Sequence, residues 1–202
     1  MAQYYGKRKP KKERTSDREW RVQRELLKEN PIPTIDQLID ACEQSQDIRT
    51  RALFIIIYLT AARITEVVRE LKKKDIERQT KNGMDIILFK IPNRKNPNKS
   101  YKEIPVVIEN NKRFIEMIKE HTDNLNDEDI IFDISQQRAG VLLLKEFGVN
   151  PHYLRHVRLT HLVTVYDFND QDLVNYAGWT DSQPTTTYVS LRYSDYLKKL
   201  LK

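Results

Sequence analysis

Lys81-Asn82-Gly83-Met84-Asp85-Ile86-Ile87-Leu88-Phe89-Lys90-Ile91 is where the periodicity of this chain changes. Asn-Gly suits a two-residue hairpin turn, because both residues tolerate the positive φ that such a turn demands. Upstream, Asp75–Gln79 reads as one arm of the hairpin. Downstream, Met84–Ile91 reads as the other, rich in residues that fit a pleated surface. A long loop from Pro92 to Ser100 then leads to a third extended run, Tyr101–Val107. The stretch predicts a three-stranded antiparallel sheet whose second hairpin is extended.

Helical spacing takes over on both sides. Thr34 with Gln37 three residues later forms a capping box, and Ile35, Leu38, Ile39 and Cys42 follow on one face. Arg49–Thr60 is nearly all apolar and predicts a central helix. Ile64, Val67, Val68 and Leu71 make a further helical stripe, with Arg63 and Glu66 on the opposite face. After the sheet, Phe114, Ile115 and Ile118 mark a core face, and Val141–Phe147 predicts a helix stopped by Gly148. Pro151 suits the first turn of a helix carrying His152 and Arg155. Asn169/Asp170 caps a short helix ending at Gly178, Pro184 signals another start, and Ser194 opens a last helix with Tyr196, Leu197, Leu200 and Leu201. The predicted fold class is mainly α with a small three-stranded antiparallel β-sheet (α+β). Asn30-Pro31-Ile32-Pro33 resists helix and divides a basic arm at 1–30, partly disordered or helical, from a domain at 31–202.

Charge is concentrated in that arm. The chain carries 35 Lys/Arg against 29 Asp/Glu, a net +6. Residues 1–30 hold ten of the bases, among them Lys7, Arg8, Lys9, Lys11 and Lys12, against five acids. A basic arm on a near-neutral body implies a polyanionic partner met through its phosphates. The apolar run Leu53–Leu59 is far short of the ~18 residues that cross a membrane. One cysteine, Cys42, excludes an internal disulfide and a thiol-rich zinc site. No paired metal-ligand spacing is present, so neither structural metal nor membrane attachment is expected.

Three segments carry the chemistry. They are Thr60-Ala61-Ala62-Arg63-Ile64-Thr65-Glu66, then His152-Tyr153-Leu154-Arg155-His156, then Gly178-Trp179 with Tyr188 nine residues after the tryptophan. In that order and at those spacings they resemble the tyrosine recombinase (phage integrase) family, over roughly Ile35 to Tyr188. A planar, permanently charged guanidinium can grip two phosphate oxygens, so Arg63 and Arg155 are candidates for a phosphate clamp, with Glu66 orienting Arg63. His152 lies one helical turn before Arg155, and His156 supports the fold.

The resemblance implies the remaining roles. Tyr188 would be the nucleophile, and its phenol needs activation at neutral pH. Trp179 occupies a position where most members carry histidine and some carry tryptophan; its indole N–H can donate to a phosphate but cannot shuttle a proton. The family places a leaving-group lysine in the second hairpin. Lys95 is the choice here, with Lys90 and Lys99 as competitors. Lys90, Arg94, Lys99 and Lys102 are further expected to touch DNA phosphates, since Lys90–Lys102 holds five bases and no acid.

The resemblance also implies a site-specific DNA recombinase or integrase. It would cut through a 3′-phosphotyrosine intermediate, need no cofactor, and act on double-stranded DNA. It would work as a tetramer on two DNA sites, with a C-terminal exchange helix at about 189–202 docking on a neighbour or packing in cis. A cytoplasmic setting in a prokaryote or virus-infected host, on a mobile element such as a virus or plasmid, goes with that reading. Two departures stand out. Ala61-Ala62 replaces the usual small-Gly-Leu before the first arginine. Only about 30 residues precede the domain where the family normally carries a helical core-binding domain, so the chain reads as a minimal type or a catalytic fragment. Competing readings are a type IB topoisomerase-like nicking-closing enzyme and a non-catalytic DNA-binding regulator of the same fold.

Overall fold

The structure is a computed structural model that describes residues 32–92, 101–179 and 182–185. The chain divides into two units, Met1–Pro33 and Thr34–Lys202, and the architecture that follows is that of the second. Its helices are α1 (Ile35–Gln44), α2 (Ile48–Thr60), α3 (Ile64–Val67), α4 (Lys112–Thr122), α5 (Gln136–Phe147), α6 (Pro151–Thr164) and α7 (Asp170–Ala177). The strands are β1 (Ile76–Lys81), β2 (Met84–Pro92) and β3 (Tyr101–Val107). The fold class is the mainly helical one with a small antiparallel sheet that the sequence predicts.

Helix α2 is the axis of the domain. Every residue from Thr50 to Thr60 is buried, as expected of a helix apolar on all sides. It packs against α4, α5 and α6. Phe54 meets Phe147 at 4.3 Å and Tyr58 meets Phe114 at 5.6 Å between ring centres. Burying each such side chain is worth roughly 1.5–3 kcal/mol relative to exposure. Asp47 caps the start by accepting from the Thr50 amide at 3.0 Å. Ala61 closes the end in the left-handed conformation, φ 48°, which glycine adopts more easily. This is the position where the sequence departs from the small-Gly-Leu pattern.

The sheet has the order β1-β2-β3, both pairs antiparallel. Asn82 and Gly83 have φ 52° and 76°, the two positive values of a type I′ turn. Along β3 burial alternates strictly, with Lys102, Ile104 and Val106 inward. Lys102 therefore occupies a core-facing register position, paired across the ladder with Ile91.

One predicted helix is mostly absent. The stripe Ile64, Val67, Val68, Leu71 gives only the single turn of α3. Val68 is already extended and Arg69 is left-handed at φ 60°. All four apolar residues are nevertheless buried. The backbone leaves the helix to bond the 131–132 segment instead: Arg69 N–H donates to Phe132 O at 3.0 Å and Ile131 N–H to Leu71 O at 3.0 Å. Burial of a stripe does not by itself dictate helical backbone.

The remaining helices follow their local chemistry. Helix α5 starts at Gln136, earlier than the apolar run suggests, capped by Ser135 and closed by Gly148 at φ 66°. Pro151 opens α6 behind the Asn150 cap, and Leu154 to Val163 are all buried. Asn169 and Asp172 form a capping box on α7, which ends at Gly178 with φ 67°. Ala61, Leu159, Leu162, Val163, Leu173 and Ala177 make one core cluster, with Tyr166, Phe168, Tyr176 and Trp179 packed against it. That cluster brings the end of α2, the C-terminal half of α6 and α7 together. Among the described residues no helix is long and apolar enough to cross a membrane.

Candidate active site

Arg63 follows the apolar axis directly and caps α3. Its backbone N–H donates to Oε2 of Glu66 at 2.9 Å and its Nη1 to Oε1 at 2.7 Å. The Glu66 side chain is 1% exposed and the Arg63 side chain 17%. A third donor completes the carboxylate: Lys102 Nζ reaches Oε2 at 2.9 Å, with its own side chain 4% exposed. Burial acts to raise the Glu66 pKa, but the Lys102 ammonium, then the bonds from Lys102 and Arg63, hold it below the usual carboxylate range. Burial likewise drives Lys102 down to about 8; Glu66 opposes that shift, while Arg155 and Arg63 add to it.

Arg155 closes the opposite side. It is buried on α6, where Nη1 donates to the carbonyl of Ala61 and Nη2 to that of Ala177 at 3.0 Å. These carbonyls belong to the left-handed cap of α2 and the last residue of α7. The guanidinium satisfies two helix-end carbonyls, which hold it in place, and it in turn fixes both helix ends. Two residues past Ala177, the Trp179 ring centre lies 5.6 Å from Arg155 Cζ, a cation–π distance. Gly178 between them lies against the Lys102 stem: a methyl group there would meet Cδ at 2.5 Å.

His152 is exposed on the first turn of α6, one turn ahead of Arg155. His156 is buried, and burial lowers its pKa to about 4, so the ring is neutral near pH 7. His161 Nδ1 sits 2.9 Å from the Tyr58 hydroxyl, a bond within the core. Lys90 is ion-paired with Glu77 across the first hairpin. Lys102 differs from its expected place on a DNA-facing surface: the β3 alternation turns it into the core, onto Glu66. Tyr188, Lys95, Arg94 and Lys99, the arm residues Lys7, Arg8, Lys9, Lys11 and Lys12, and the helix expected at about 189–202 lie outside the described residues.

The inward role of Lys102 has a sequence signature. It stands two residues before Ile104 and four before Val106, so period-2 alternation places it with them on one face. Counting Lys102 among the phosphate contacts of the basic run Lys90–Lys102, although it falls in the predicted strand Tyr101–Val107, misses that register. Arg158, one turn beyond Arg155, is a second unpredicted feature. Its guanidinium is buried among Tyr166, Tyr58 and Tyr176, at 5.1, 5.4 and 6.0 Å from the ring centres.

Arg63, Lys102 and Arg155 together set three positive charges against the single negative charge of Glu66. Such a locus attracts an anion, and the two guanidinium groups are donors suited to phosphate oxygens. Among the described residues, no group of three His, Cys, Asp or Glu is arranged to hold a metal ion.

The model of the phage integrase family matches residues 33–195. No curated protein matches. Among solved structures, the XerH site-specific recombinase, in a post-cleavage complex bound to a palindromic difH substrate, is similar with a TM-score of 0.55 at 17% identity. That match covers 82% of this chain and 51% of the XerH chain, so this chain spans about half the length of that neighbour. At this identity the likeness speaks to the fold.

Proposed function

The chain belongs to the phage integrase family, the tyrosine recombinases, and on that premise we propose that it breaks and rejoins DNA strands by transesterification. In this reading Arg63 and Arg155 bind the non-bridging oxygens of the scissile phosphate. Guanidinium groups fixed in advance stabilise the charge that builds up at the five-coordinate phosphorus. Tyr188 attacks with loss of its phenolic proton to solvent, the 3′ phosphate becomes bonded to the phenolic oxygen as its bond to the 5′ oxygen breaks, and the 5′ oxygen leaves with a proton. Lys95 is the proposed donor of that proton, with His152 and the Trp179 indole bonding the phosphate. Attack by a 5′ hydroxyl on the phosphotyrosine releases the tyrosine and joins the strands. The bond energy is conserved through the covalent intermediate, so the cycle closes without an energy source.

The observation that carries this reading is the convergence of both arginines on one locus. Arg63, the cap of α3, bonds Glu66, which pairs with the buried Lys102; the Lys102 stem lies against Gly178, next to the Ala177 carbonyl that Arg155 bonds. A fold that served only to pack helices gains nothing from gathering cations there, since like charges in a core are costly. DNA as partner, a tetramer on two sites joined through residues 189–202, and phosphate contacts from Arg94, Lys99 and the basic arm complete the proposal. The test uses a library of nicked duplexes with random sequence at the nick, in which the cut fragment diffuses away. Wild-type protein is expected to form an SDS-resistant adduct with a subset of the library, and Tyr188→Phe to form none. Binding without any adduct from the wild type would instead favour a non-catalytic regulator. Plasmid relaxation without joined products would favour the nicking-closing alternative.

A further inference from the structure

Lys102 is a buried lysine in a place where burial needs a reason. Its side chain is 4% exposed, and moving an ammonium into such a site costs several kcal/mol unless it is well paired. The pairing is with Glu66, whose carboxylate also takes two bonds from Arg63. A simpler core would have an apolar residue at the inward position of β3, beside Ile104 and Val106, and a neutral one at 66. The protein keeps both charges, and keeps them between the two arginines.

This geometry matters in two ways. First, Glu66 shared between Arg63 and Lys102 cannot act as a full counter-ion to Arg63 alone. Without the ammonium, the buried carboxylate would draw the Arg63 guanidinium inward and offset its charge toward any anion. With it, the locus keeps a net positive charge. Second, the Lys102 stem fills the space above Gly178, where even a methyl group would collide. The same side chain therefore touches the start of the first-arginine helix and the turn that carries Trp179, while Arg155 grips the residue on the other side of that turn.

We infer that Lys102 is a positioning residue of the strand-transfer site. It holds Glu66 so that Arg63 remains available to phosphate, and it sets the height of the Gly178-Trp179 turn beside Arg155. The inference rests on the proposed strand-transfer reading, and it places Lys102 inside the site, away from the phosphate-facing hairpin surface that the basic run suggests.

The experiment measures single-turnover adduct formation on a selected nicked duplex from pH 6 to 10 for wild type, Lys102→Met, Lys102→Arg, and the double variant Lys102→Met/Glu66→Gln. Melting curves are taken at each pH. The charged groups facing Lys102 are Glu66 from α3, Arg63 at its cap, and Arg155 from α6. Removing the ammonium should slow adduct formation between about 10- and 100-fold, the scale of a small misplacement of reacting groups. It should leave DNA binding within about threefold, since binding energy is spread over many phosphate contacts. Wild type should lose rate as Lys102 deprotonates, at about pH 8. Arginine does not titrate there, so Lys102→Arg should keep its rate to higher pH. A purely structural role would change melting but not move this alkaline limb. If Lys102→Met destabilises the fold, the neutral double variant restores charge balance in the core and should fold, yet still be slow. Wild-type rates in a folded Lys102→Met or double variant, or an unchanged alkaline limb in Lys102→Arg, overturn the inference and leave the strand-transfer reading intact. No adduct from wild-type protein overturns both.

Discussion

The Arg155 guanidinium donates to the carbonyl of Ala177 at 3.0 Å, joining the middle of α6 to the last residue of α7. Its other arm bonds Ala61, the cap of the apolar axis. One side chain thereby sets the spacing between two of the three segments that carry the proposed chemistry.

Arg155→Lys is expected to fail on both counts. A lysine cannot span two carbonyls, and a buried carbonyl left without its donor costs about 1–3 kcal/mol. The variant should lose about 2 kcal/mol or more in urea unfolding, together with nearly all adduct formation. Arg63→Ala separates these effects. Glu66 keeps the Lys102 ammonium, so stability should change by less than about 1.5 kcal/mol while adduct formation falls at least about 100-fold, as on removal of a preorganised oxyanion donor. Near-wild-type adduct yield from either variant would remove that arginine from the site.

His156 should make stability depend on pH in a defined window. Its folded pKa, about 4, lies below the ordinary value of 6.5 because the ring is buried. A depressed pKa means the folded state binds the proton less well than the unfolded chain. Stability should therefore be full above pH 6.5 and fall as the pH drops toward 4, by up to about 3 kcal/mol. The depressed carboxylates Glu66, Glu43, Asp47, Glu77, Asp85 and Glu128 add their own losses, but only below their ordinary values of 4.5 or 3.8. Urea melts at pH 7 and 5 lie above those values and bracket the window of this histidine. His156→Gln should show little difference between them.

Arg158 lies against three tyrosine rings, with Nε and Nη1 buried and without a hydrogen-bond partner. Its Nη2 reaches the Tyr176 hydroxyl at 3.5 Å. A guanidinium tolerates this because it is weakly hydrated and lies flat on aromatic faces; a compact ammonium does not. Arg158→Lys should cost about 2 kcal/mol or more. Arg158→Met, which removes the buried charge and keeps volume, should stay within about 1 kcal/mol of wild type. Equal stability of the two variants in chemical denaturation would show that the rings do not select for arginine.

Much of this architecture is legible in local chemistry. The Thr34/Gln37 capping box, the Asn82-Gly83 turn, the Tyr101–Val107 strand and the Gly178 stop all appear where their residue types dictate, since each rests on interactions within a few residues. What depends on distant partners is less visible. The stripe Ile64 to Leu71 does not reveal that residues 131–132 will bond its backbone. The basic run Lys90–Lys102 does not reveal that its last member pairs with a carboxylate 36 positions earlier. Arg63, Arg155 and Trp179 are named as candidates by the family resemblance, whereas the pairing of Glu66 with Lys102 requires the fold.

The basic arm is expected to contribute through phosphates rather than sequence. Deleting residues 1–28 should weaken DNA binding and flatten the plot of log affinity against log salt, by about 0.9 for each phosphate that the arm neutralises. Fluorescence anisotropy over a range of salt concentrations measures it. An unchanged slope would remove the arm from the interface.

The central claim is that one phenol becomes bonded to DNA within a locus built by Arg63 and Arg155. Peptide mapping by mass spectrometry of the SDS-resistant adduct, after nuclease trimming, tests it most directly. The expected result is a nucleotide joined through its 3′ phosphate to Tyr188. Attachment at another residue, a 5′ linkage, or an adduct that persists in Tyr188→Phe would contradict the account.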